Sequence, residues 1–321
     1  MQRRDFLNFA PALALGSVGV SLLPAAGHAH EHGHGPKLFT AMQRFSLGDW
    51  TIVALSDGFL PFDYGLFSGV TPKEAQELMR QSFYDPANFI GAVNAFLIDT
   101  GETLIMVDVG TGAAFGPTLG HTVSNLKAAG YEPADVSLIL ATHLHPDHVG
   151  GVLTDAGNPF PNSTLAVNAA DHAFFTSAEI RAGAPDDFKP FFDMAVGAVG
   201  SFGERLSLFE GTASVAPGIT AMPLFGHTPG HSGFMLESAG QTMLMAGDIL
   251  HAPGIQFARP DVSIAFDADP TQAAATRGMA LDMLSADRLL FAGSHVSFPG
   301  FGYLEKAGEG YRFTPAPWQY L

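Results

Sequence analysis

The ten residues THLHPDHVGG, Thr142 to Gly151, constrain this chain more than any other stretch. His143, His145, Asp147 and His148 fall close together there, between an apolar run and two glycines. Clustered polar side chains are costly in a core unless something satisfies them together. A metal ion does so, because neutral imidazole and carboxylate are ordinary ligands for zinc and its neighbours. His143 and His145 are two positions apart and face the same way in extended backbone. Pro146 suits the first helical position, so Asp147 and His148 turn elsewhere, toward a second ion.

A fold that serves such a cluster must bring more ligands to it. Phe45 to Ser56 reads as a hairpin ending at Asp57-Gly58. Val93 to Ile98 and Leu104 to Val107 read as another, separated by Thr100-Gly101. Thr122 to Ala129 reads as a helix stopped by Gly130, Val136 to Ala141 as a buried strand, and Thr271 to Leu284 as a helix. Four apolar strands end in a potential ligand or its neighbour. LIMV precedes Asp108, LILAT precedes His143, MLMAG precedes Asp248, and LLFAGS precedes His295. LFGHTPGH brings His227 and His231 after the strand Ala221 to Phe225. Carboxyl ends of strands are where α/β proteins hold their chemistry. The candidate ligands are His143, His145, Asp147, His148, His231, Asp248 and His295. That set exceeds one tetrahedral ion and suits two ions about 3.5–4 Å apart. His227 reads as a supporting or turn residue.

Composition narrows the rest. The chain has no cysteine, which excludes disulfides and thiolate sites. Its formal charge is −16, which disfavours nucleic acid and anionic membranes. With 321 residues, 47% of them hydrophobic, it can bury a sizeable core. Residues 1–29, with Arg3 and Arg4 ahead of a Gly/Pro-broken apolar segment, read as a twin-arginine signal. The implied location is periplasmic or secreted, with no stable membrane association after processing. Residues 30–43 read as a disordered His-rich segment, and residues 44–321 as one domain.

THLHPDHVGG followed by GHTPGHSG, AGD and GSH resembles the metallo-β-lactamase superfamily. The resemblance implies an α/β fold, the αβ/βα four-layer sandwich of two mixed sheets flanked by helices. It implies that His143, His145 and His231 hold one metal, that Asp147, His148 and His295 hold the other, and that Asp248 bridges them. Asp108 matches the family's aspartate that orients a ligand histidine, with His227 in a similar supporting place. Two divalent ions are implied as cofactors, zinc first, with manganese, cobalt and iron also acceptable to these ligands. Asp147 and Asp248 are then the catalytic carboxylates, and the metal-bound hydroxide is the nucleophile.

Within that superfamily the chain is most similar to methyl parathion hydrolases and their dihydrocoumarin-hydrolase-like lactonase relatives. The shared stretches are FGPTLG, NLKAAGY, APDD, FGHTPGH, SHVSFPGFG and EGYRF. His251 departs from the organophosphate specialists, which carry an apolar residue there. Ile264 and Phe266 also resemble the lactonase side. The implied activity is cleavage of lactone or aryl ester bonds, with promiscuous organophosphate triesterase activity. A dedicated phosphotriesterase and a non-catalytic periplasmic zinc-binding protein are the alternatives. The implied partner is a small hydrophobic ester or lactone, and a homodimer is compatible with the relatives. Phe115, Phe175, Phe191, Phe192, His251, Ile264, Phe266 and Phe298 are the candidate pocket.

Overall fold

The computed structural model describes residues 41–319. The signal segment and residues 30–40 of the His-rich segment lie outside the described residues. Strand β1 begins at Met42, ahead of the expected domain start, because Met42 and Gln43 pair with Leu55 and Ala54.

Two seven-stranded sheets face each other. The first runs in chain order: β1 (Met42–Leu47), β2 (Trp50–Pro61), β3 (Ile90–Asp99), β4 (Leu104–Val107), β5 (Val136–Leu140), β6 (Thr164–Asn168) and β7 (Leu206–Phe209). Its first four strands pair antiparallel and the rest parallel. The second holds β8 (Ala213–Ala216), β9 (Ile219–Pro223), β10 (Ser232–Ser238), β11 (Gln241–Met245), β12 (Leu290–Ala292), β13 (Phe301–Ala307) and β14 (Gly310–Pro315). Only its β11–β12 pair is parallel. Both sheets are therefore mixed, as expected.

Side-chain alternation builds the layers. On β3, Ala95 and Leu97 join the cluster beneath the helices, while Phe96 and Ile98 point between the sheets. Facing them across that interface are Phe234 and Leu236 of β10 and Met243 and Met245 of β11. The outer face of the first sheet is covered by α2 (Thr122–Ala128) and α6 (Lys189–Gly200). The outer face of the second is covered by α8 (Pro270–Ala286). The result is helix, sheet, sheet, helix. Among the described residues no helix is long and apolar enough to cross a membrane.

The first hairpin differs from expectation. Its turn is Gly48-Asp49, and β2 runs through Asp57-Gly58 to Pro61 with a bulge between Ser56 and Gly58. Asp57 is not a turn former here. Its buried carboxylate accepts from the backbone N–H and hydroxyl of both Thr111 and Thr122, and from Gly120 N–H. Gly58, at φ +132°, lies so close to the Thr118 carbonyl that a Cβ has no room.

Candidate metal centre

The ligand-bearing loops leave both sheets at one edge. Asp108 follows β4, and His143 and His145 follow β5. Pro146 starts the single turn α3 (Pro146–Val149), which carries Asp147 and His148. Asp248 follows β11, and His295 follows β12. His143, His148, Asp248 and His295 are all nearly inaccessible to solvent.

Asp248 is the hub. Its Oδ2 lies 3.0 Å from His295 Nε2, 3.3 Å from His148 Nε2, 3.4 Å from His227 Nε2 and 3.7 Å from His143 Nε2. His143 Nε2, His145 Nδ1 and His227 Nε2 form a second convergence, at 2.9 and 3.0 Å between successive nitrogens. Asp147 stands 3.5 Å from both His148 and His295.

His227 stands with His143 and His145 in one cluster of potential ligand atoms, where the resemblance implied His231. Both nitrogens of His231 are engaged elsewhere: Nε2 accepts the Asp248 N–H at 2.9 Å, and Nδ1 donates to the Leu224 carbonyl at 2.8 Å. His231 thus fixes the backbone beneath Asp248. His227 lies on the outgoing limb of the turn after β9, where the strand-end rule places ligands. His231 already leads into β10.

The outward nitrogens are pinned, which fixes ring orientation and tautomer. His148 Nδ1 meets Asp108 Oδ2 at 2.7 Å, His227 Nδ1 meets Asp267 Oδ1 at 2.9 Å, and His295 Nδ1 donates to the Ala92 carbonyl at 2.6 Å. Asp108 sits at φ +58°, a left-handed backbone unusual for a residue with a side chain. Thr142 N–H and hydroxyl donate to its carboxylate and hold it there.

Electrostatics divide the cluster. Burial, helped by neighbouring imidazoles, drives His143 and His145 well below the usual histidine range. Burial also opposes charge on His148, but Asp248, Asp147 and Asp108 outweigh it and raise that histidine well above its usual value. Asp248 is likewise opposed by burial, and His148, His295 and His251 hold it far down as a carboxylate. Buried His148 Nε2 and Asp248 Oδ1 have no hydrogen-bond partner. Orphaned donor atoms of this kind in an all His/Asp set fit a pair of divalent ions. The residues that would hold them are His143, His145 and His227 on one side, and Asp147, His148 and His295 on the other, with Asp248 between.

An apolar cavity opens over the cluster. Phe115, Phe191, Phe266 and His251 line it, and so do Leu60, Phe62 and Leu66, which sequence patterning did not single out. Phe175 and Phe192 line a neighbouring cavity instead. Ile264 and Phe298 line neither, which corrects their assignment. Ile264 packs under α1 (Pro72–Gln81) with Phe67 and Val262, and Phe298 packs against the core between the sheets. Of the adjacent pair, Phe191 faces the metal cavity. Phe192 is nearly buried in the helix-side core.

Fold and ligand arrangement together define a metal-dependent class of α/β sandwich. Residues 89–295 match the family model of the metallo-beta-lactamase superfamily, and the chain belongs to that superfamily. The solved hydrolase AbOPH of the beta lactamase superfamily is 30% identical, with a TM-score of 0.84 over 88% of this chain and 100% of that one. The dizinc quorum-quenching lactonase AidC, solved with a product, is 23% identical, with a TM-score of 0.82 over 87% and 99%. An N-acyl homoserine lactonase of Bacillus sp is 29% identical over 116 residues. That match spans 36% of this chain and only 39% of the lactonase.

Proposed function

We propose that the protein is a binuclear zinc hydrolase of small hydrophobic lactones and aryl esters, exported by the twin-arginine route to the periplasm or beyond. The observation that carries the reading is the meeting of two His/Asp ligand sets on the floor of an aromatic cavity. The lactonase identity of the Bacillus relative and the dizinc lactonase character of AidC support it. Divalent ions there would polarise an ester carbonyl and lower the pKa of a bound water toward neutrality.

The chain's own residues supply the rest. Phe62, Phe115, Phe191 and Phe266 take up the apolar body of the substrate and exclude water. Asp108 and Asp267 keep His148 and His227 turned inward. His251 Nε2, 3.1 Å from Asp248 Oδ2, steadies that carboxylate from the cavity side.

The test is kcat/KM of the zinc-loaded protein on dihydrocoumarin, a p-nitrophenyl ester and a dimethyl aryl phosphotriester. The lactone should lead the phosphotriester by a hundredfold, about 2.7 kcal/mol. Chelation should abolish turnover and zinc should restore it. Leadership by the phosphotriester would replace this reading with a dedicated phosphotriesterase. Two bound metals and no turnover would leave a zinc-binding protein.

A further inference from the structure

Strand β3 pairs with β4 only as far as Phe96, opposite Val107. Beyond that point its free edge is taken by the loop after β12, which carries His295. Asn94 N–H donates to the Ser294 carbonyl at 2.9 Å, and the Ala92 carbonyl accepts from His295 Nδ1 at 2.6 Å. The Asn94 side chain continues the series of Ile98 and Phe96, which faces the second sheet. Its Nδ2 donates to the Val296 carbonyl at 2.7 Å and reaches the Gly293 carbonyl at 3.4 Å. One residue of the first sheet therefore holds the carbonyls of Gly293, Ser294 and Val296, on both sides of a candidate ligand carried by the second.

Asn94 is 2% exposed and sits between Val93 and Ala95, both fully buried. Among the described residues its Oδ1 has no hydrogen-bond partner. A buried amide oxygen left unpaired costs stability, so packing alone is poorly served by this side chain. What it adds is its Nδ2 donor, spent on the loop of His295. Resting on the two-ion reading above, whichever ester is cleaved, we propose that Asn94 is a positioning residue for His295 and sets how tightly the ion on the Asp147, His148 and His295 side is held. The ion on the other side takes His143, His145 and His227 from loops to which Asn94 makes no hydrogen bond. The effect of Asn94 is therefore confined to one of the two ions.

The experiment titrates zinc into the full chain against a calibrated chelator, so that each binding step is read without turnover. The step that His295→Ala weakens identifies the His295 side. Asn94→Leu fills similar space without the donor, and Asn94→Ala removes the donor without crowding. Both should weaken the His295-side step by about tenfold or more and the other step by less than about threefold. Ile98→Ala, on the same face of the same strand, empties core volume away from the loop and should leave both steps as in the parent. In the double variant of Asn94→Leu with His295→Ala, the step should be no weaker than in His295→Ala alone, because the amide acts through that ring. Parent-like binding in both Asn94 variants, an equal loss at both steps, or a further loss in the double variant overturns the role of Asn94 and leaves the two-ion hydrolase reading intact. A parent chain that takes up only one zinc ion overturns that reading, and the role of Asn94 with it.

Discussion

His227 and His231 share one turn and one residue type, yet their contacts give them different work. His227 Nε2 points at His145 and Asp248, and His231 holds the Asp248 backbone. The consequence is measurable by metal analysis of purified variants. His227→Ala should drop from two ions per chain to about one and lose at least about a hundredfold in kcat/KM. His231→Ala should keep two ions while losing about 1–3 kcal/mol of stability, because the buried Asp248 N–H loses its acceptor. The reverse pattern would restore the assignment made from sequence. Spacing alone could not separate the two, since the conformation of Thr228 to Gly230 decides which ring turns inward. The HxHxDH segment was legible because its ligands follow from a strand end and one helical turn. His148 carries a second prediction. Its carboxylate neighbours, against the pull of burial, raise it well above the usual histidine value and so favour its protonated form without metal, and a binding ion must displace that proton. Zinc affinity should fall by about tenfold per pH unit below neutrality for each proton displaced. Zinc titration in weakly buffered indicator solution reads the released acid. An affinity constant from pH 6 to 8 would contradict the mechanism.

Among the elements, α4 (Ala169–Phe175) does more than pack. Its Asp171 accepts from Leu144 N–H at 2.8 Å through one carboxylate oxygen and from Gly230 N–H at 2.9 Å through the other. It thereby ties the loop of His143 and His145 to the loop of His227. The fit is close enough that a Cβ on Gly230 would lie 2.4 Å from Asp171 N. Asp171→Ala leaves two N–H groups without their acceptor and should cost about 2–4 kcal/mol in urea unfolding. It should also weaken zinc binding at the three-histidine side, whereas Asp171→Asn, which keeps one acceptor, should fall between. Equal zinc affinity in all three proteins would show that the loops hold their positions without the clamp. Strand identities were readable from apolar runs, and helix α8 from its alanine-rich stretch. The clamp was not, because a lone aspartate in ADHAFF looks like any helix-surface acid. The end of β2 was misread for the same reason: Asp57-Gly58 is turn chemistry locally, and only the distant Thr111, Gly120 and Thr122 make it a strand.

Over the whole molecule, the helix on the outer face of the second sheet reaches the metal centre through a buried chain of contacts. Arg277 of α8 is 1% exposed. It donates to the carbonyls of Ile249, Pro260 and Val262, tying down the loop that follows Asp248. Its guanidinium also lies 3.7 Å from Asp267, which in turn pins His227. A four-layer sandwich thus places its ligands from both sheets and braces them from an outer layer. The layers followed from the family resemblance, but an arginine in TRGMALDML gives no sign that it points inward. Arg277→Met fills similar space while stranding three carbonyls and a carboxylate, so stability should fall by about 3 kcal/mol or more. Loosening Asp267 should also weaken zinc at the His143, His145 and His227 side by about tenfold or more, measured by competition with a calibrated chelator. A variant that unfolds earlier yet binds zinc with full affinity would confine Arg277 to scaffolding and break the proposed link from outer helix to ligand.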